Sequence, residues 1–151
     1  MSVNPFDPKS ILLAKHAQHV VLVHFPIALF LTGVLCDVWA HWGKKQSLKA
    51  AARFNLRAAA FMAVPVLATG LLAWQWQLGG QRLKGTLLMH LILGFCSAAL
   101  CWLVVFLRSR EWARENSALP ASHGFLELAA VIVVALTGHL GGFVSGVNLP
   151  G

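Results

Sequence analysis

Four stretches of this chain are each long and apolar enough to cross about 30 Å of hydrocarbon, which takes roughly 20 helical residues. They run from about Val20 to Trp42, Ala50 to Leu78, Leu87 to Leu107 and Phe125 to Val147. In lipid each backbone amide and carbonyl must find its partner within the protein, so self-satisfied helices are expected rather than strands. The connections, Gly43–Lys49, Gly79–Thr86 and Arg108–Gly124, are short. Short loops make consecutive helices antiparallel neighbours. The expected architecture is an all-α, integral-membrane, up-down-up-down four-helix bundle, forming one domain over residues 1–151. No internal repeat and no low-complexity segment is visible.

Charged residues make up 11% of the chain and hydrophobic ones 58%, whereas a soluble domain carries about a quarter charged residues. That excludes a soluble enzyme. The net charge is +7, but the basic residues sit in short clusters between apolar runs. This pattern suits loops facing anionic lipid and argues against a nucleic-acid partner. The three cysteines all lie inside apolar runs, giving neither a disulfide framework nor a Cys-x-x-Cys metal site. Cys96 and Cys101 read as small core residues. Met1–Gln18 lacks the compact basic start of a signal peptide, and no small-x-small cleavage site follows the first apolar run. It reads as a retained lead-in.

Orientation follows from the basic residues. One side gathers eight of them, Lys44, Lys45, Lys49, Arg53, Arg57, Arg108, Arg110 and Arg114; the other gathers four, Lys9, Lys15, Arg82 and Lys84. The richer side is expected to be cytoplasmic, which places both termini in the periplasm of a bacterial inner membrane. Trp39, Trp42 and Trp112 then mark one interface and Trp74 and Trp76 the other.

Seven histidines are many for so apolar a chain. His16, His19 and His24 open the first helix, His90 lies near the start of the third, and His139 lies about two turns before the end of the fourth. Three helices therefore bring a histidine to one end of the bundle, while His41 and His123 fall at the other. One reading is half-solvated interfacial histidines. The other is a site, because an ionisable group within a transmembrane segment is costly and ordinarily faces a partner in the bundle interior.

A hydrolytic zinc or di-metal centre wants carboxylates beside its histidines. Here the carboxylates within helices, Asp37 and Glu127, lie at the opposite end, where pairing with Arg53, Arg57 or each other is expected. Neutral imidazoles in an apolar surround instead suit a b-type haem with histidine axial ligands. Helices 1 and 3 are diagonal in this topology. His24 and His90, at nearly equal depth, are thus the first choice as axial, iron-ligating residues. His139 would be a third wall, a second-site ligand or a hydrogen-bond partner. His19, about 140° around the helix from His24, would serve a second haem, a copper ion or the nearby loop. Arg82 and Lys84 would pair with haem propionates or simply snorkel. Gly70, Gly94, Gly138, Gly141 and Gly142 leave room for a cofactor, or else allow close helix contact. Pro26 either kinks helix 1 below His24 or marks the start of its regular part.

The segment His19-Val-Val-Leu-Val-His24-Phe-Pro-Ile-Ala-Leu29 resembles the signature of a bacterial membrane family, the domain-of-unknown-function family 2231. The ending Thr137-Gly-His-Leu-Gly-Gly142-Phe-Val-Ser-Gly-Val147 is similar to that family's closing helix. Val20 stands where the family has a proline, and Ser145 near its usual tyrosine. The resemblance implies a small four-helix inner-membrane protein, one of a group suspected of binding haem and associating with cytochromes.

Together these readings lead to an electron-transfer subunit of the cytochrome b kind rather than a stand-alone enzyme. Its expected partners are the bilayer, quinone, a periplasmic c-type cytochrome or other respiratory subunits, and a second copy of the chain. The alternatives are a non-redox structural or assembly subunit and a copper-binding protein. Transport, which needs charged or polar residues lining a through-path, ranks last because the charged residues cluster near the helix ends.

Overall fold

A long apolar run flanked by polar residues need not stop being helical where the hydrocarbon ends. In the computed structural model, which describes residues 8–9, 14–43, 45–113 and 121–146, four helices are each long and apolar enough to cross a membrane. They are α1 (Lys15–Gly43), α2 (Gln46–Trp76), α3 (Gly85–Ala113) and α4 (Ala121–Val144). No strand occurs among the described residues. The first three have 29, 31 and 29 residues, or roughly 44–46 Å at 1.5 Å per residue. They outrun the hydrocarbon, so α1 begins at Lys15 and α3 continues through Arg108 and Glu111, beyond the apolar limits expected from sequence. Pro26 and Pro65 lie inside α1 and α2, and neither interrupts its helix.

α1 packs on α2 and α3 on α4; α3 also touches α2, and α4 touches α1, leaving α1 and α3 diagonal. Large apolar side chains such as Phe25, Phe54, Phe61, Phe125 and Ile132 point outward. The core is built mainly of smaller residues, with Phe30 and Leu56 among Ala59, Ala60, Cys101, Val104, Ala130 and Val134. Membrane helices lack a hydrophobic driving force for association and rely on such close packing. One of its tightest points is Gly33, where a Cβ would lie 2.9 Å from Leu56 Cγ.

The two hairpins are versions of one unit. His19 Nδ1 and the Val66 carbonyl are separated by 47 residues, as are His90 Nδ1 and the Thr137 carbonyl. A single offset of 71 residues, which is also the separation of the bonded pair Asp37 and Arg108, carries each partner onto its counterpart. The same offset relates the buried positions Phe30 and Cys101, Leu56 and Glu127, Ala59 and Ala130, and Ala63 and Val134. Equivalent residues also meet each other, His19 with His90 and Asp37 with Arg108. A pseudo-two-fold relation between the hairpins would produce such contacts, as in parallel membrane repeats, although α1 and α2 pack together more extensively than α3 and α4. The repeat that the sequence conceals is thus explicit in the fold.

Candidate functional site: a two-histidine cavity on the axis

At the end of the bundle where α1 and α3 begin, a cavity of about 510 Å³ opens among all four helices. That lies within the roughly 300–1,000 Å³ typical of ligand and cofactor sites. Among the described residues its lining includes His19, His24, His90, Gly70, Thr137 and Gly141, and no carboxylate.

Each half of the cavity seats one histidine on a glycine. A Cβ on Gly70 of α2 would lie 2.9 Å from His19 Cε1, and one on Gly141 of α4 would lie 3.1 Å from His90 Cε1. The missing side chains are what admit the rings. His19 Nδ1 donates to the Val66 carbonyl at 3.1 Å and lies 3.2 Å from Thr69 Oγ1. His90 Nδ1 donates to the Thr137 carbonyl at 3.1 Å. A carbonyl only accepts, so each Nδ1 carries hydrogen and each neutral ring has its basic nitrogen at Nε2. Metal-binding histidines are held the same way, with the second nitrogen's hydrogen on a backbone carbonyl fixing tautomer and orientation. The ring centroids are 6.4 Å apart and the planes are inclined at 79°.

The structure therefore brings together His19 and His90, rather than the His24 and His90 first chosen from sequence. His24 borders the cavity but is exposed, and its Nδ1 donates to the Val20 carbonyl of its own helix at 2.6 Å. His139 is exposed and packs on Phe143, with centroids 5.0 Å apart. Arg82 and Lys84 are exposed in the loop between α2 and α3, outside the cavity lining. The side chain of His16 lies outside the described residues. Equal depth pointed to His24, but rotation about α1 turns His19 inward. The signal that identifies His19 is a glycine 51 residues after each histidine of the facing pair.

The opposite end is polar and separate. Arg108 of α3 binds both Asp37 oxygens at 2.5 Å, also pairs with Glu111, and lies 3.6 Å from Glu127 Oε1. The expected pairing of Asp37 with Arg53 or Arg57 is corrected: those guanidiniums lie over the Trp112 ring, 5.6 and 5.0 Å from its centroid. His123 pairs with Glu111 at 2.7 Å, while His41 is exposed.

Among the described residues no group of three or more His, Cys, Asp or Glu side chains is placed to hold a metal ion. The cavity instead offers two imidazoles. Two imidazoles ligating one ion end to end, through bonds of about 2.0–2.1 Å, put their ring centroids roughly 6–6.5 Å apart. The His19 and His90 centroids are that far apart, with the rings meeting edge-on.

In comparisons with known proteins, residues 15–147 match the family described as Predicted membrane protein (DUF2231). No curated protein and no solved structure matches the chain.

Proposed function

The chain belongs to the DUF2231 family of membrane proteins, and from that footing we propose that it transfers electrons through a b-type haem held between His19 and His90. The supporting observation is the facing pair itself, 6.4 Å apart with each Nδ1 tied to a backbone carbonyl. Two protein ligands suit an iron whose remaining positions are filled by a macrocycle, better than they suit a copper site that needs a third side chain. A flat ring with two comparable faces also suits ligands related by a two-fold axis. Bound there, haem supplies one-electron chemistry. The protein's share is to fix both imidazoles, exclude water with the surrounding apolar side chains, and thereby set the potential.

By the positive-inside rule the Arg53–Arg108 end faces the cytoplasm and the histidine end the periplasm of an inner membrane. Exchange with quinone or a periplasmic c-type cytochrome follows from that placement. The test is an optical spectrum of the detergent-purified protein, oxidised and then dithionite-reduced, with metal analysis alongside. A b-type α-band supports the reading. A colourless protein from haem-replete cells overturns it, and stoichiometric copper would put copper in its place.

A further inference from the structure

Lys49, Arg53 and Arg57 follow one another at four-residue intervals along α2, so they rise as a column on one face of that helix. The column continues with Phe61, and with Ala50, Phe54 and Ala58 it borders an outward-facing groove of about 580 Å³. Arg53 and Arg57 are exposed, yet both guanidiniums are positioned over the half-buried Trp112 of α3. One turn below them Phe61 meets Trp102 of α3 edge-on, with centroids 4.9 Å apart. The groove is thus cationic at the end of the bundle and aromatic toward its middle.

Among the described residues no ion pair holds those cations. The 71-residue offset that joins Asp37 to Arg108 carries Arg53 and Arg57 onto Gly124 and Leu128 of α4. The equivalent face of the second hairpin therefore does without them. Nor does internal pairing explain them, because the carboxylates described at that end, Asp37, Glu111 and Glu127, are all engaged with Arg108. Among the described residues neither arginine pairs with a carboxylate.

We propose that this groove along α2, bordered by Trp112 and Trp102 of α3, binds an anionic phospholipid, its phosphate held by Arg53 and Arg57 and an acyl chain lying along Ala58 and Phe61. Charge complementarity and depth select that occupant. α2 exceeds the roughly 30 Å of hydrocarbon by about 16 Å, or some eleven residues. With Trp74 and Trp76 marking the other interface, that excess lies at this end and carries residues 46–57 to headgroup level. Phe61 lies one turn further in, where acyl chains begin. Basic pockets between transmembrane helices are known to take anionic headgroups, and arginine offers the planar fork that a phosphate accepts.

Native mass spectrometry of the full chain in detergent, titrated with dioleoyl phosphatidylglycerol or dioleoyl phosphatidylcholine, tests the proposal. Phosphatidylglycerol should be retained in preference. Arg53→Gln or Arg57→Gln should each weaken it about fivefold and the double variant about 25-fold, at about 1 kcal/mol per surface cation. Arg110→Gln, whose guanidinium lies over Phe106 instead, should leave it unchanged. Ala58→Trp fills the groove while keeping both arginines, and should also lose the lipid. The proposal is overturned by equal retention of the two lipids, or by full retention in folded double variant or in folded Ala58→Trp. It also fails if millimolar inorganic phosphate displaces the lipid, since a free phosphate would then be the ligand.

Discussion

Asp37 and Arg108 occupy equivalent positions in the two hairpins and bind each other across the axis between them, both carboxylate oxygens meeting one guanidinium nitrogen at 2.5 Å. A position shared by two copies of one unit has become an ion pair by carrying opposite charges in the two copies. The pair is buried, so each charge depends on the other. Removing one partner of such a pair costs about 3–5 kcal/mol.

Arg108→Leu and Asp37→Leu should each fall in that range. Because Arg108 also holds Glu111 and lies 3.6 Å from Glu127, the exchanged double variant Asp37→Arg/Arg108→Asp should recover only part of the loss. Thermal unfolding in detergent measures it. A double variant no more stable than the singles would show that Glu111 and Glu127, rather than Asp37, dominate the pairing of Arg108.

Glu127 should behave differently. Its equivalent is Leu56; both are fully or almost fully buried, and neither Glu127 oxygen has a hydrogen-bond partner. Packing at this position accepts leucine in one hairpin, and a buried carboxyl whose oxygens lack hydrogen-bond partners costs about 1–3 kcal/mol, which leucine removes. Glu127→Leu should therefore hold or raise the unfolding temperature, whereas Asp37→Leu lowers it. Comparable losses in the two would place Glu127 within the essential ion pair.

The glycines under the histidines provide a graded test. A methyl on Gly70 meets His19 at 2.9 Å and one on Gly141 meets His90 at 3.1 Å. Gly70→Ala should cost about 1–3 kcal/mol by forcing the ring to move, and Gly141→Ala should sit at the low end of that range. If both variants match the parent in unfolding temperature and spectrum, the rings are not held by the glycines.

How much of this was legible in the sequence varied with the physical signal. The four helices followed from apolar length, and their ends ran past it because residues such as Lys15 and Glu111 continue a helix into the headgroup layer. Rotation was not legible. Lipid and core are both apolar here, so no amphipathic stripe marks the inward face, and His19 and His24 could be ranked only by depth. The repeat was hidden for a related reason. Matches such as Leu22 with Leu93 or Ala59 with Ala130 are shared by any two apolar helices. The most telling pair, Asp37 with Arg108, is not a match at all.

Reporter fusions test the frame on which the site is built. A fusion in the connection at Lys45 should report one side of the membrane. Fusions in the Gln77–Lys84 loop and after α4 should both report the other. The same side for Lys45 and the C-terminal fusion would break the up-down-up-down order, and with it the axis.

The ligand assignment is the prediction that separates the structure from depth alone. If His19 and His90 hold the iron, His19→Ala and His90→Ala should each abolish the low-spin two-histidine spectrum. Either loss leaves one axial position without its imidazole. His24→Ala should leave the spectrum intact, because that ring is exposed and His90 meets His19 instead. His139→Ala should do likewise, its ring resting on Phe143. Thr69→Val provides an intermediate case. It removes the hydroxyl 3.2 Å from His19 Nδ1 while leaving the Val66 carbonyl in place, and such outer-shell losses typically weaken binding about 10–100-fold. Haem retention on dilution should therefore fall in Thr69→Val with the band positions barely moved. A spectrum that survives His19→Ala but not His24→Ala would return the first-choice pair, His24 with His90, and would require α1 to turn by roughly 140° about its axis.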